Sequence, residues 1–133
     1  MDRHDLNTES SNEFKGKTGV KRVLNAFGYS KAGIKFAWEE QGFRQLVYIN
    51  TVLVALSFYF KFGSATQSIL ILGSALTLMV ELLNTAIEAS VDHTSLKQHP
   101  LAKRAKDTAS AAQTVALVTL FILWAAALWR YFG

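Results

Sequence analysis

The chain has 133 residues, half of them hydrophobic, with one proline, no cysteine and a formal net charge of +4. That length suffices for one compact unit, but the composition is not that of an ordinary soluble domain. Without cysteine there is neither a disulfide framework nor a thiolate metal site, and the basic residues are not clustered into a helix with base-contacting partners, which argues against nucleic acid.

Residues 1–18 carry Asp2, Arg3, His4, Asp5, Glu9 and Glu13 among Ser, Asn and Thr. They hold too little apolar material to build a core and lack the apolar run of a secretory signal. They are expected to be a polar mobile tail ahead of a membrane-embedded domain over residues 19–133. Val20, Val23, Leu24 and Phe27 then recur at helical spacing opposite Lys21 and Arg22. Gly28-Tyr29-Ser30 is expected to supply a turn or cap, followed by a second amphipathic stretch with Ile34, Ala37 and Trp38 as its apolar stripe. Lys31 and Lys35 lie off that stripe, the pattern of a helix resting in a membrane interface.

Three stretches lack Lys, Arg, Asp and Glu: Gln45 to Phe60, Phe62 to Val80, and Thr108 to Trp129. A transmembrane helix needs roughly 20 predominantly apolar residues. The third stretch exceeds that length, the second reaches it with its polar end, and the first is short and carries Asn50. A tight hairpin with Gly63 and Ser64 is expected between the first two. Pro100 marks the break before a helix starting near Leu101.

Arg3, Lys15, Lys17, Lys21, Arg22, Lys31, Lys35 and Arg44 precede the first span, and Lys97, Lys103, Arg104 and Lys106 lie between the second and third. Only Lys61 lies in the first hairpin and only Arg130 follows the third span. Positive charge stays inside, so three spans with a cytoplasmic N-terminus satisfy the pattern. Trp129, Tyr131 and Phe132, with Tyr59, Phe60 and Phe62, suit an aromatic belt at the outer interface.

Glu81, Asn84 and Glu88 stand out inside this frame. Spacings of three and four bring them onto one helical face at the cytoplasmic end of the second span. A carboxylate at the centre of an inserted helix costs roughly 2.5–3.5 kcal/mol on insertion scales, so this face needs a partner, a cation or a proton. Two plain readings are interhelical glue and a proton or ion path through an oligomer. The catalytic reading is that ATP reaches the groups from the cytoplasm. Asp92 continues the face by one turn, Lys106-Asp107 sits at the inner boundary of the third span, and Glu39-Glu40 lies near the same boundary. Of ten acidic residues four are in the tail, and the other six all map to the cytoplasmic side. That convergence favours a Mg2+ site completed by substrate phosphates. Gly16-Lys17-Thr18 imitates the end of a P-loop, but Ser11 replaces its first glycine and no strand precedes it.

Val80-Glu81-Leu82-Leu83-Asn84-Thr85-Ala86-Ile87-Glu88 followed by Asp92, and Arg104-Ala105-Lys106-Asp107-Thr108-Ala109-Ser110-Ala111-Ala112, resemble the signature of the small prokaryotic diacylglycerol kinases. Ala26-Phe27-Gly28-Tyr29-Ser30 and Phe43-Arg44-Gln45 extend the resemblance over residues 19–133. It implies an all-α inner-membrane homotrimer whose protomer has three transmembrane helices and an N-terminal amphipathic surface helix. It also implies transfer of the γ-phosphate of MgATP to diacylglycerol, giving phosphatidic acid, at the cytoplasmic interface. By resemblance Glu81 is the general base, Asn84 fixes the catalytic carboxylate and the transferring phosphate, and Asp107 completes the catalytic set. Glu40 and Glu88 match the magnesium carboxylates. With Arg22, Tyr29, Asp92 and Lys106 they also match the ATP-binding positions, and Gln45 and Ser110 match lipid-substrate positions.

The sequence departs from the pattern at three places. Asn25 replaces a basic residue that many relatives carry, Leu46 stands where close relatives often have glutamate, and the interval from Trp38 to Phe43 is one residue short. Glu40 is therefore assigned by counting back from Phe43, with Glu39 as the alternative. An undecaprenol kinase and a non-enzymatic oligomer conducting ions or protons remain the rival readings.

Overall fold

A computed structural model describes residues 19–94 and 99–133; the polar tail lies outside the described residues. Four helices, α1 (Val20–Glu39), α2 (Gln41–Tyr59), α3 (Ser64–Thr94) and α4 (Pro100–Phe132), make up the described chain, which has no strand. The expected all-α class holds. The chain divides into two units, one through Phe36 and one from Ala37 to Gly133.

The turn expected at Gly28-Tyr29-Ser30 is absent, because α1 runs through it. The Ser30 hydroxyl donates to the Ala26 carbonyl at 3.0 Å, so it is satisfied within the helix. A single glycine costs only about 1 kcal/mol against alanine, too little to end a helix with good formers on both sides. The break comes after Glu39 instead. Glu40 takes extended backbone, φ −79° and ψ 129°, as the N-cap of α2. The Arg44 guanidinium reaches back and donates to the carbonyls of Trp38 and Glu39, both at 2.8 Å. These carbonyls belong to the end of α1, where a helix has no partners of its own to offer. Trp38 closes the corner by edge contacts with Phe43 and Tyr48, at ring-centroid distances of 6.5 and 6.0 Å.

The hairpin between α2 and α3 is as tight as expected, with Lys61 turning in the left-handed region at φ 48°. Pro100 is the first residue of α4, where its missing N–H costs nothing. His99 caps the same end, its ring nitrogen accepting from the Leu101 N–H at 3.2 Å.

Within the second unit α3 packs against both α2 and α4. Gly73 permits the close approach to α4: a Cβ there would lie 3.0 Å from a methyl of Leu123 and 3.1 Å from one of Leu120. The buried cluster of Leu70, Leu120, Trp124 and Ala127 lies in this seam, with Leu53, Phe60 and Phe62 against it. At one end Phe60 and Phe62 pack on Tyr131, both at 5.6 Å between ring centroids, which holds the hairpin to the C-terminus of α4. At the other end Lys106 of α4 donates to Asp92 of α3 at 2.9 Å.

Polarity is distributed in the opposite sense to that of a water-soluble bundle. Asn50, Ser57, Ser74, Thr77 and Gln113 are buried, while Ile49, Val52, Ile69, Leu72, Val118, Phe121 and Ile122 face outward. Exposed apolar area this continuous needs lipid or another protein surface to cover it. α3 and α4 are long and apolar enough to cross a membrane, and only 22% and 28% of their most apolar stretches are buried within the chain. α2 is shorter, at 19 residues, and carries Gln41, Arg44, Gln45 and Asn50.

The buried polar contact between α2 and α3 is testable. Asn50 donates to the Thr77 hydroxyl at 3.0 Å and to the Leu46 carbonyl at 2.9 Å, and Thr77 donates to Ser74 O at 2.8 Å. Thr77→Val and Asn50→Leu should each destabilise the protein in detergent, with a coupling of about 0.5–1.5 kcal/mol in the double variant. Unfolding curves of the four proteins measure it, and strictly additive losses would contradict the contact.

Candidate active site

The buried stripe of α3, Leu70, Gly73, Ser74 and Thr77, continues down the same face into Glu81, Asn84 and Glu88, all half-buried. At about 100° per residue, Asn84 lies within about 20° of Gly73, which meets α4, and within about 20° of Thr77, which meets Asn50 of α2, and so stands between the two. Glu81 lies about 80° around from Gly73 by the same count. There its carboxylate meets α2, for a Cβ on Gly42 would sit 3.0 Å from its Oε1. Gly42 is in the first turn of α2, where backbone N–H groups have no helical acceptor and favour negative charge. One helical face thus divides its polar groups between two neighbours.

The other acidic groups fall around this point. Glu40 stands at the N-cap of α2, two residues before Gly42, and Glu88 lies two turns along α3 from Glu81. The N-cap break and the Arg44 clamp fix the backbone at Glu40. Lys106 is held by Asp92 and also feels the charge of Glu88. Asp92, though bonded to Lys106, is exposed. Asp107 is exposed as well and pairs with Lys103 one turn back on α4. Gln45 and Ser110 are exposed on α2 and α4. Arg22 and Tyr29 are exposed on α1, in the first unit.

Among the described residues no three His, Asp or Glu side chains converge into a metal cage. Glu88 and Glu40 offer hard carboxylate oxygens, the donor type that fits magnesium, which commonly takes one or two carboxylates and completes its shell with phosphate oxygens and water.

Two side chains at this site went unassigned in the sequence reading. Arg44 is a spacer in the Phe43-Arg44-Gln45 motif until the α1–α2 corner shows it clamping two carbonyls. Gln113 is nine-tenths buried on α4. Its amide, the one carboxamide in the uncharged span Thr108 to Trp129, is the available signal.

The prokaryotic diacylglycerol kinase family model matches residues 28–128. A diacylglycerol kinase of Pseudomonas aeruginosa is 50% identical over 117 residues, 87% of this chain and 95% of the relative. One from Helicobacter pylori strain 26695 is 44% identical over 107 residues, 80% of this chain and 84% of the relative. One from Escherichia coli K12 is 38% identical over 117 residues, 87% and 96% of the two chains. Matched over most of its length by the family model and by these relatives, and carrying the Glu-Asn-Glu face on α3, the chain belongs to the prokaryotic diacylglycerol kinase family.

Proposed function

We propose that the protein is an integral-membrane lipid kinase that transfers the γ-phosphate of MgATP to the primary hydroxyl of diacylglycerol, giving phosphatidic acid and ADP. The observation that carries the reading is the single face of α3 on which Glu81, Asn84 and Glu88 follow a buried stripe into a ring of charged groups. Relatives named diacylglycerol kinase supply the substrate.

A lipid hydroxyl is a poor nucleophile at neutral pH. Glu81 takes its proton as the oxygen attacks the γ-phosphorus and the bond to ADP breaks. Proton transfer of this kind contributes typically ~10²–10⁴-fold. Asn84 orients the Glu81 carboxylate and the transferring phosphoryl group, Lys106 neutralises phosphate charge, and Asp107 completes the polar surround. Asp92 holds the Lys106 ammonium by the bond between them. Glu88 and Glu40 would hold Mg2+, which when bound neutralises phosphate oxygens. Arg22 and Tyr29 serve the nucleotide, and Gln45 and Ser110 the lipid. Alignment and charge neutralisation are the main requirements of phosphoryl transfer.

In this reading α2, α3 and α4 all cross the bacterial inner membrane, with α1 as the amphipathic surface helix and the active site on the cytoplasmic side. The 19 residues of α2 give a helix of about 28 Å, close to the ~30 Å hydrocarbon thickness. The aromatic end, with the hairpin and the C-terminus, is then outside, and the Asp92–Lys106 end is inside. The large uncovered share of α3 and α4 supports a homotrimer whose neighbouring subunits close each site against lipid.

Purified protein in mixed micelles should consume ATP only with magnesium and diacylglycerol both present. Turnover with undecaprenol alone, or ion flux without ATP use, would overturn the reading in favour of one of its rivals. Glu81→Gln keeps the shape but removes the base, so assembly should persist while kcat falls by about 10²–10⁴-fold. Glu88→Gln should raise the magnesium concentration for half-maximal activity on the order of tenfold, and an unchanged magnesium dependence would refute its metal role. If the site is shared between subunits, mixing Glu81→Gln chains with chains inactivated at Arg22, Glu40 or Asp107 should restore activity for at least one partner. No recovery in verified mixtures would mean that each protomer holds a complete site.

A further inference from the structure

The α3–α4 seam contains a polar side chain, Gln113, that has no part in the proposed reaction. Gln113 is nine-tenths buried, and neither its Nε2 nor its Oε1 has a hydrogen-bond partner among the described residues. Asn84 Oδ1 is likewise buried and unpartnered there. Buried amide atoms are almost always paired, so three orphans in one seam call for an explanation.

Register brings the two residues to the same level. Two contacts bracket Gln113 along the antiparallel pair, Lys106 with Asp92 and Leu120 with Gly73. Gln113 lies seven residues from each of its α4 markers. The matching positions on α3, seven residues before Asp92 and seven after Gly73, are Thr85 and Val80, which bracket Glu81 and Asn84. Orientation agrees with level. Gln113 is within about 20° of Leu120 around α4 and so turns into the seam, and Asn84 stands about 20° from Gly73, which meets Leu120, and about 20° from Thr77, which meets Asn50, between the two neighbours of α3. Glu81 is turned about 60° away from Asn84, toward Gly42.

We propose that Gln113 is a positioning residue for phosphoryl transfer: its Nε2–H donates to Asn84 Oδ1 and fixes which way the Asn84 amide faces. The inference rests on the reading of Asn84 as part of the transfer site. An asparagine amide can flip, exchanging a donor for an acceptor of nearly the same shape. With Oδ1 held toward α4 by Gln113, the Asn84 Nδ2–H group is left facing the Glu81 side, where an anionic base and the transferring phosphoryl group need a donor. The bond pairs two of the three orphan atoms. Without Gln113 the flipped amide would present its oxygen to those anions.

The test separates positioning from packing. Gln113→Met fills the same space without polar atoms, and Gln113→Ala leaves a small helix-forming residue. In both, thermal stability in micelles should hold or rise, because buried unpaired groups are removed, while kcat falls about tenfold at an unchanged KM for ATP. In an Asn84→Ala background the residual turnover should not fall further on adding Gln113→Met, because the partner is already gone. Wild-type kcat in both single variants would overturn the proposal, as would the same fractional loss in both backgrounds. Full activity of Asn84→Ala alone would instead remove Asn84 from the transfer site and take the underlying reading with it, so the two failures are distinguishable.

Discussion

Polar groups in apolar surroundings must meet other polar groups of the protein, and the organisation of this chain follows from that constraint. A helix set in hydrocarbon has no water to solvate Asn, Thr, Gln or Glu, so such residues share one stripe that neighbouring helices cover. On α3 the stripe begins with Leu70 and Gly73, where close packing against Leu120 and Leu123 is possible. It continues through Ser74 and Thr77, which bond locally and to Asn50, and ends in Glu81, Asn84 and Glu88. The order along the helix runs from packing to polar contact to the carboxylate face. Gly73 lets α3 and α4 approach closely where Leu120 and Leu123 pack against it.

The second determinant is the corner between α1 and α2. Three residues of one five-residue stretch build it: Glu40 at the N-cap, Gly42 in the first turn against Glu81, and Arg44 folded back onto the carbonyls of Trp38 and Glu39. The absence of a side chain at Gly42 leaves room for the Glu81 carboxylate at the start of a helix, where unpaired N–H groups tolerate negative charge. In the proposed reaction this corner joins the metal-binding carboxylate to the base. The Arg44 clamp then has a functional consequence although the side chain does not touch the reacting groups.

Electrostatics sorts the Asp92–Lys106 end into two groups. Lys106 ties to Asp92 across the seam, whereas Asp107 turns outward to Lys103 on its own helix. Adjacent residues on a helix point about 100° apart, so a Lys-Asp pair in sequence cannot serve the same point from one backbone position. The exposed pair is worth little to stability. The cross-helix contact matters chiefly because it fixes where a cation stands relative to Glu88.

The sequence alone determined the helical class, the apolar stretches, the tight hairpin at Lys61, the start of α4 at Pro100 and the Glu-Asn-Glu face. Each follows from local rules: hydropathy over one helix length, the missing proline N–H, and a spacing of three and four. It misjudged Gly28-Tyr29-Ser30, where one weak breaker lost to helical neighbours on both sides, and it left Glu39 and Glu40 as alternatives. Only the tertiary structure decided that Gly42 faces Glu81, that Thr77 bonds Asn50 and Asp92 bonds Lys106, and that Gln113 is buried. Those outcomes depend on the angular position and axial register of helices far apart in sequence. A one-residue shift would rotate a side chain by about 100° and leave the composition unchanged.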